Sequence, residues 1–249
     1  MLNICIPAFD EAPTIGLLLW RIRKVFAEYP REYEVTVLDD GSSDSTWATL
    51  QPYTEVMPLT LIRNDQRRGY APALESLARS AARRTRYPRR DAMIVMQGDF
   101  TDQPDHIPEL VKRFEGGADI VVAEQAAPPS GAPLAVRQLR RLAPWVIRPF
   151  VRVGGVADPL GCFRLYRITV LREMLKAAGD APILRAAGWA ANVELLSRLA
   201  PFARRIETVT LEPRYDLRPR DSRVRPLSGV MELFRYGRAT RGHPSVSPS

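Results

Sequence analysis

Val95-Met96-Gln97-Gly98-Asp99-Phe100-Thr101-Asp102-Gln103-Pro104 is an apolar run that stops abruptly at amide and carboxylate side chains. It reads as a buried strand that delivers a carboxylate to the edge of a sheet, where the acid could hold a divalent cation against a diphosphate. Two stretches upstream repeat the pattern: Ile4-Cys5-Ile6-Pro7-Ala8-Phe9-Asp10-Glu11 and Val35-Thr36-Val37-Leu38-Asp39-Asp40-Gly41-Ser42-Ser43-Asp44. Three strands ending in acid predict one acidic, nucleotide-binding edge. In doubly wound sheets ligands bind beyond the carboxyl ends of the strands, so the direction of the pattern carries information. Acids at both strand ends would instead read as helix caps, and that alternative stays open for Asp44, Asp102 and Asp105 taken singly.

Helical periodicity fills the intervals. Pro13 suits a first helical turn, and Ile15, Leu18, Leu19, Ile22 and Phe26 then recur on one face. A short strand is expected at Leu59–Ile62, a helix through Ala73, Leu74, Leu77, Ala78 and Ala81 after Gly69, and a strand at Ala92–Met96. Ile107, Leu110, Val111 and Phe114 mark another helix before a strand at Asp119–Ala123. Further on, helices are expected at Ile168–Ala177 and Trp189–Leu199 and a strand at Ile206–Leu211; Pro226 opens a last helix, and the tail 243–249 reads as disordered. This alternation predicts an α/β domain with a mostly parallel, Rossmann-like sheet.

With 249 residues and 45% apolar content the chain can bury a full core, as one α/β domain with an appendage. Cys5 falls in a strand-like run and Cys162 in a loop, which excludes a disulfide framework or a cysteine-based zinc site and fits a cytoplasmic setting. His106 and His243 are far apart and read as surface residues. No stretch approaches the roughly 18 consecutive apolar residues of a membrane span, and the first residues read as a strand rather than a signal peptide. The formal charge of +8 points to an anionic partner. Lysine occurs only at Lys24, Lys112 and Lys176; the arginine bias fits bidentate phosphate binding and a biased genome equally. A nucleic-acid partner is not expected, because no such motif occurs and the acidic strand ends would repel a polyanion.

The ordered set Ile6-Pro7-Ala8-Phe9-Asp10-Glu11, Leu38-Asp39-Asp40-Gly41-Ser42-Ser43-Asp44, Arg63-Asn64 with Gly69, Gln97-Gly98-Asp99 and Gly161-Cys162-Phe163-Arg164-Leu165-Tyr166-Arg167 resembles the family 2 glycosyltransferases. The likeness is particularly to the polyprenyl-phosphate sugar transferases of the dolichol-phosphate mannose synthase type, and it runs from about Leu2 to Arg225. It implies a single GT-A domain with a C-terminal basic, helical extension on the acceptor side. Residues 1–124 would form the nucleotide-sugar half, 125–133 a flexible connection and 134–242 the acceptor half. Pro7, Ala8, Asp10 and Glu11 would line the nucleoside pocket, Asp40 with Asp39 would contact base or ribose, and Arg63 and Gly69 would belong to a loop closing over the donor. Gln97, Gly98 and Asp99 would face the diphosphate, with Asp99 matching the second acid of the family's Asp-x-Asp metal motif.

Gln97 stands where that motif has its first acid. An amide oxygen can coordinate Mg²⁺ or Mn²⁺ but brings no charge, so the cation is expected to enter with the donor diphosphate, held by Asp99 and Gln97 with Asp102 as a further candidate. The resemblance implies transfer from a nucleotide sugar to a lipid phosphate. Such an acceptor needs cations rather than a base, and Arg164, Arg167, Arg218, Arg220, Arg223 and Arg225 are the candidates, with Arg164 nearest the family position. For a hydroxyl acceptor Asp158 is the candidate base, or equally the cap of a local turn. In 134–153, Ala135, Leu139, Leu142, Val146, Phe150 and Val153 share a side opposite Arg137, Arg141, Arg148 and Arg152, with Pro144 and Pro149 dividing the segment into two short helices. With the resemblance this reads as a basic interfacial surface, making the protein peripheral to the cytoplasmic face of an anionic membrane. A soluble transferase acting on a hydroxyl, and a nucleotide-binding homologue without turnover, remain the rival readings. Oligomeric state is not legible.

Overall fold

Ile4 and Ile6 pack into one apolar layer and Cys5 into another, and all three are fully buried. The same alternation divides Ile94 and Met96 from Met93 and Val95, so these strands are covered on both faces. The computed structural model describes residues 1–125 and 153–211, together with residues 231 and 235. Its elements are β1 (Leu2–Ala8), α1 (Ala12–Glu28), β2 (Tyr33–Asp39), α2 (Thr46–Leu50), β3 (Leu59–Arg63), α3 (Tyr70–Arg84), β4 (Ala92–Val95), α4 (Ile107–Glu115), β5 (Ile120–Gln125), β6 (Arg164–Arg167), α5 (Ile168–Ala178), α6 (Ala190–Leu199) and β7 (Ile206–Leu211). One 7-stranded sheet runs β3-β2-β1-β4-β6-β5-β7. It is parallel except at β6, which is antiparallel to both β4 and β5.

α1 and α4 cover one face; α3, α5 and α6 cover the other. On α1 the stripe Ile15, Leu18, Leu19 and Ile22 is fully buried, each side chain stabilising the fold by about 1.5–3 kcal/mol. β1 has β2 on one side and β4 on the other, so the strand order reverses beside it and a crevice forms where β1 and β4 end.

β6 is the strand that periodicity missed, as α2 is the helix. Two arginines in a four-residue strand suppress its apolar signal. Lying antiparallel, it starts where β4 ends: Arg164 pairs with Val95, and Arg167 with Ala92 at the opposite edge. The remainder of the expected 125–133 connection and of the basic segment 134–153, the late arginines Arg218, Arg220, Arg223 and Arg225, the helix from Pro226 and the tail 243–249 lie outside the described residues, apart from residues 231 and 235.

Candidate active site

The Gln97-Gly98-Asp99 turn leaves β4 against the start of α1. A Cβ on Gly98 would press on Glu11 Cγ at 3.3 Å and touch Ile15 Cδ1 at 3.5 Å, so the turn packs closely on the start of α1. Thr14 Oγ1 donates to Gly98 O at 2.8 Å and ties the turn to α1. Asp99 is 4% exposed and its Oδ1 accepts from Thr101 N at 3.0 Å. Phe100 has φ +63°, a left-handed conformation that costs a non-glycine residue on the order of 1 kcal/mol. Its buried ring and the 2.8 Å bond from Gln103 Nε2 to its carbonyl sustain that conformation. Asp102 folds back under the turn, where its Oδ2 accepts from Gln97 N and from Cys162 Sγ, each at 3.1 Å.

The turns after β1 and β2 interlock. Asp10 (φ +49°) donates its N–H to Ser42 Oγ at 2.9 Å, and its Oδ1 accepts from Ser43 N at 2.8 Å. Glu11 N donates to Thr46 Oγ1 at 2.7 Å. Asp44 accepts from Ala12 N at 3.2 Å and Thr46 N at 2.9 Å, so its capping role is real and serves α1 and α2 together. Asp105 caps neither; it pairs with Arg21, whose guanidinium holds the carboxyl below its ordinary range.

Asp39 is fully buried. Its Oδ1 accepts from Ser42 N at 3.0 Å, while Oδ2 has no hydrogen bond among the described residues and faces Arg63 Nε at 3.3 Å. Asp40, 4% exposed, is spent on the next loop: Oδ1 accepts from Asn64 Nδ2 (2.8 Å) and Arg68 N (2.9 Å), and Oδ2 from Gly69 N (2.7 Å). Gly41, at φ +70°, lets that loop close, since a Cβ there would meet Arg67 N at 2.7 Å. Two cations lie on aromatic faces here, Arg63 at the end of β3 over Trp47 at 5.1 Å and Arg67 of the loop over Phe9 at 4.0 Å. Periodicity marks neither Trp47 nor Arg67; only the position of Phe9 immediately before Asp10 could have drawn notice. Pro7 and Ala8 close the floor, with Ala8 O accepting from Asp40 N at 2.9 Å and Pro7 O lying 3.6 Å from the Cβ that Gly98 lacks. Pro7, Ala8, Asp10, Glu11, Asp39, Asp40, Arg63, Gly69, Gln97, Gly98 and Asp99 therefore gather at one sheet edge.

Of the residues expected to hold an acceptor phosphate, the two that the structure describes are engaged inside the protein. Arg164 is fully buried; it donates to the carbonyls of Pro159 and Asn192 rather than presenting a cation at the surface. Arg167 sits at the far edge of the sheet, pairing with Asp119 at 2.7 Å and donating to the carbonyls of Arg89 and Ala118. The antiparallel course of β6 separates the two and gives each an internal task. Asp158 Oδ1 accepts from Leu160 N at 3.0 Å, the turn-capping arrangement. Glu194 is 2% exposed and holds the amides of Arg185 (2.7 Å) and Ala186 (2.8 Å) while pairing with Arg198, a structural part.

The profile of Glycosyl transferase family 2 matches residues 3–175, which contain every element of this edge. The chain belongs to that family. A dodecaprenyl-phosphate galacturonate synthase of Rhizobium johnstonii is 26% identical over 208 residues, covering 81% of this chain and 57% of the relative. A dolichol-phosphate mannosyltransferase of Pyrococcus furiosus is 27% identical over 123 residues, covering 49% of this chain and 32% of the relative. The chain thus spans about half or less of the length of these curated relatives. Among solved structures, glucosyl-3-phosphoglycerate synthase from Mycobacterium tuberculosis, in complex with Mn²⁺, UDP and glucosyl-3-phosphoglycerate, superposes with a TM-score of 0.62. At 21% identity, covering 100% of this chain and 81% of that one, this likeness shows the fold, a GT-A-type α/β domain as expected. No helix among the described residues is long and apolar enough to cross a membrane.

For this family 2 chain the fit to a divalent cation can be judged from its donors. Asp99 supplies a carboxylate and Gln97 an amide oxygen, while Asp102 Oδ2 already accepts two bonds. No group of three or more His, Cys, Asp and Glu suited to a metal occurs among the described residues. These two oxygen donor types suit a hard cation that brings its remaining ligands with it, as phosphate oxygens and water.

Proposed function

We propose that the chain is the catalytic part of an inverting glycosyltransferase that moves a sugar from a nucleoside-diphosphate sugar to a polyprenyl phosphate at the cytoplasmic face of a membrane. The observation that carries the reading is the convergence of three acidic turns, with Asp39 and Asp99 buried, where β1, β2 and β4 end. The names of the polyprenyl-phosphate and dolichol-phosphate relatives support the acceptor class.

Asp39 Oδ2, without a hydrogen bond among the described residues but covered by Arg63, is the acceptor for a base N–H or a ribose hydroxyl once Arg63 shifts onto the donor. Arg63, at the end of β3, and Arg67, from the loop that Asp40 holds, close over the donor. A cation bound by Asp99 and Gln97 with the diphosphate would offset the charge that grows on the leaving group while the sugar becomes oxocarbenium-like. A phosphate monoester with a second pKa near 6 is already largely ionised at neutral pH, so the acceptor needs no base. Its single displacement inverts the anomeric centre. Asp158 then orders its turn, and the late arginines Arg218, Arg220 and Arg223 serve as the phosphate contacts in place of Arg164.

Incubation with GDP-mannose and UDP-glucose in turn, with and without polyprenyl phosphate, followed by organic extraction, tests the reading. Label from one donor should enter the organic phase only when the lipid is present. Turnover with all label left aqueous would replace the lipid by a soluble acceptor; no release of nucleoside diphosphate under any condition would leave a binding protein.

The missing acid has its own consequence. Calorimetry should find only weak Mn²⁺ binding to the protein alone and clear binding once nucleoside diphosphate is added. Gln97→Asp supplies the absent charge and should raise the affinity of the nucleotide-free protein about tenfold or more. Tight Mn²⁺ binding by the unaltered protein without nucleotide contradicts the assignment.

A further inference from the structure

Side chains from α3, α6 and β6 converge behind residues 158–162. Arg164 Nη2 donates to Pro159 O, while Nη1 donates to Asn192 O at 2.5 Å and reaches Tyr166 Oη at 3.4 Å. Asn192 Nδ2 donates to Leu160 O at 3.1 Å, and Asn192 Oδ1 accepts from Tyr70 Oη at 2.7 Å. Two successive carbonyls of the segment are thus gripped from inside the protein. At its other end Cys162 Sγ donates to Asp102 Oδ2, which also accepts from Gln97 N. An unbroken series of bonds and short covalent links runs from α3 to the turn that carries Asp99.

The materials of this series suit a fixed support better than a ligand site. Arg164 is 0% exposed, Asn192 3% and Cys162 3%. Burial pushes the Tyr70 phenol well above its ordinary pKa, so it stays a donor, and burial beside Asp102 likewise keeps the Cys162 thiol protonated. Enclosing a guanidinium away from water is costly, and Arg164 Nε has no hydrogen bond among the described residues. The planar fork spans two carbonyls that point from different elements, which the single ammonium of lysine cannot do in the same geometry.

We infer that Arg164 and Asn192 are positioning residues that set the 158–162 segment against the Gln97–Asp99 turn and touch neither donor nor acceptor. The kinetic consequence rests on the transfer reading above; the mechanical one does not. If the segment carries part of the acceptor site, a displacement of about 1 Å lowers turnover about 100-fold while leaving binding nearly unchanged.

Thiol labelling separates the two consequences. Cys5 is an internal reference, fully buried in β1 with burial pushing its thiol up to about 12. In Arg164→Lys and in Asn192→Ser, Cys162 should react with a disulfide reagent about tenfold faster or more than in the parent, with Cys5 still protected. kcat should fall about 100-fold with donor and acceptor KM within about threefold. Cys162 remaining protected in Asn192→Ser overturns the inference, as does an acceptor KM raised about tenfold at unchanged kcat in Arg164→Lys, the mark of a phosphate ligand. Should Arg164→Lys expose Cys5 as well, it has unfolded, and Asn192→Ser decides alone. Should no donor support transfer in the parent, the transfer reading fails and the labelling result still decides whether the support exists.

Discussion

Asp99→Asn should abolish transfer, by about 1000-fold or more, in a protein that melts within a few degrees of the parent. The substitution keeps an oxygen where Oδ1 accepts from Thr101 N, so the 97–102 turn retains its local bond. What it removes is the negative charge, and Gln97 next to it has none to lend. A loss of 1000-fold corresponds to about 4 kcal/mol of transition-state stabilisation, the scale of one well-placed electrostatic group in a dry site. A chain with both acids of the motif could share the loss between them; here one carboxylate carries it. Single-turnover assays with Mg²⁺ or Mn²⁺ present, paired with thermal melts, make the comparison. Near-normal turnover of Asp99→Asn would show that the diphosphate is neutralised elsewhere.

The acidic edge was legible because each of its strands is largely apolar and leads at its carboxyl end into a turn of clustered acidic and small polar residues, while the acids at the opposite ends, such as Glu34 and Asp91, have no such turn. Strand direction follows from that pattern, and the α1 stripe and the fold class from the helical periodicity between the strands. The acceptor side was far less legible, for a specific physical reason. Phe163-Arg164-Leu165-Tyr166-Arg167 alternates as a strand should, but two guanidiniums mask the alternation, and exposed cations and buried, carbonyl-bonded ones look identical in sequence. Only the position of β6 between β4 and β5 shows where the charges go. Asn192 illustrates the same limit. It lies in the first turn of α6 between Ala191 and Val193, and its use depends on Leu160 and Tyr70, 32 and 122 residues away. Contacts of that range leave no periodic trace.

Asp40 poses the sharpest test of how donor binding is built. The resemblance implies a direct nucleotide contact, yet the three hydrogen bonds of its carboxylate go to Asn64, Arg68 and Gly69, and it is 4% exposed. Asp40→Ala leaves three donors without an acceptor and should cost about 3 kcal/mol of stability, with a matching fall in the melting temperature. Asp40→Asn should do nearly as much harm, because an amide offers one acceptor oxygen and turns an NH₂ toward the remaining N–H donors. In both variants the 64–69 loop loses its anchor, and Arg63 and Arg67 lose their places over Trp47 and Phe9. Nucleotide affinity should therefore drop about 100-fold even though the altered atoms hold the loop and not the ligand. Fluorescence titration of Trp47 with UDP and GDP, alongside proteolysis within 64–69, distinguishes the routes. Weakened binding together with a cleavable loop supports the anchor, whereas weakened binding with a loop as resistant as the parent's would return Asp40 to direct contact with the nucleotide.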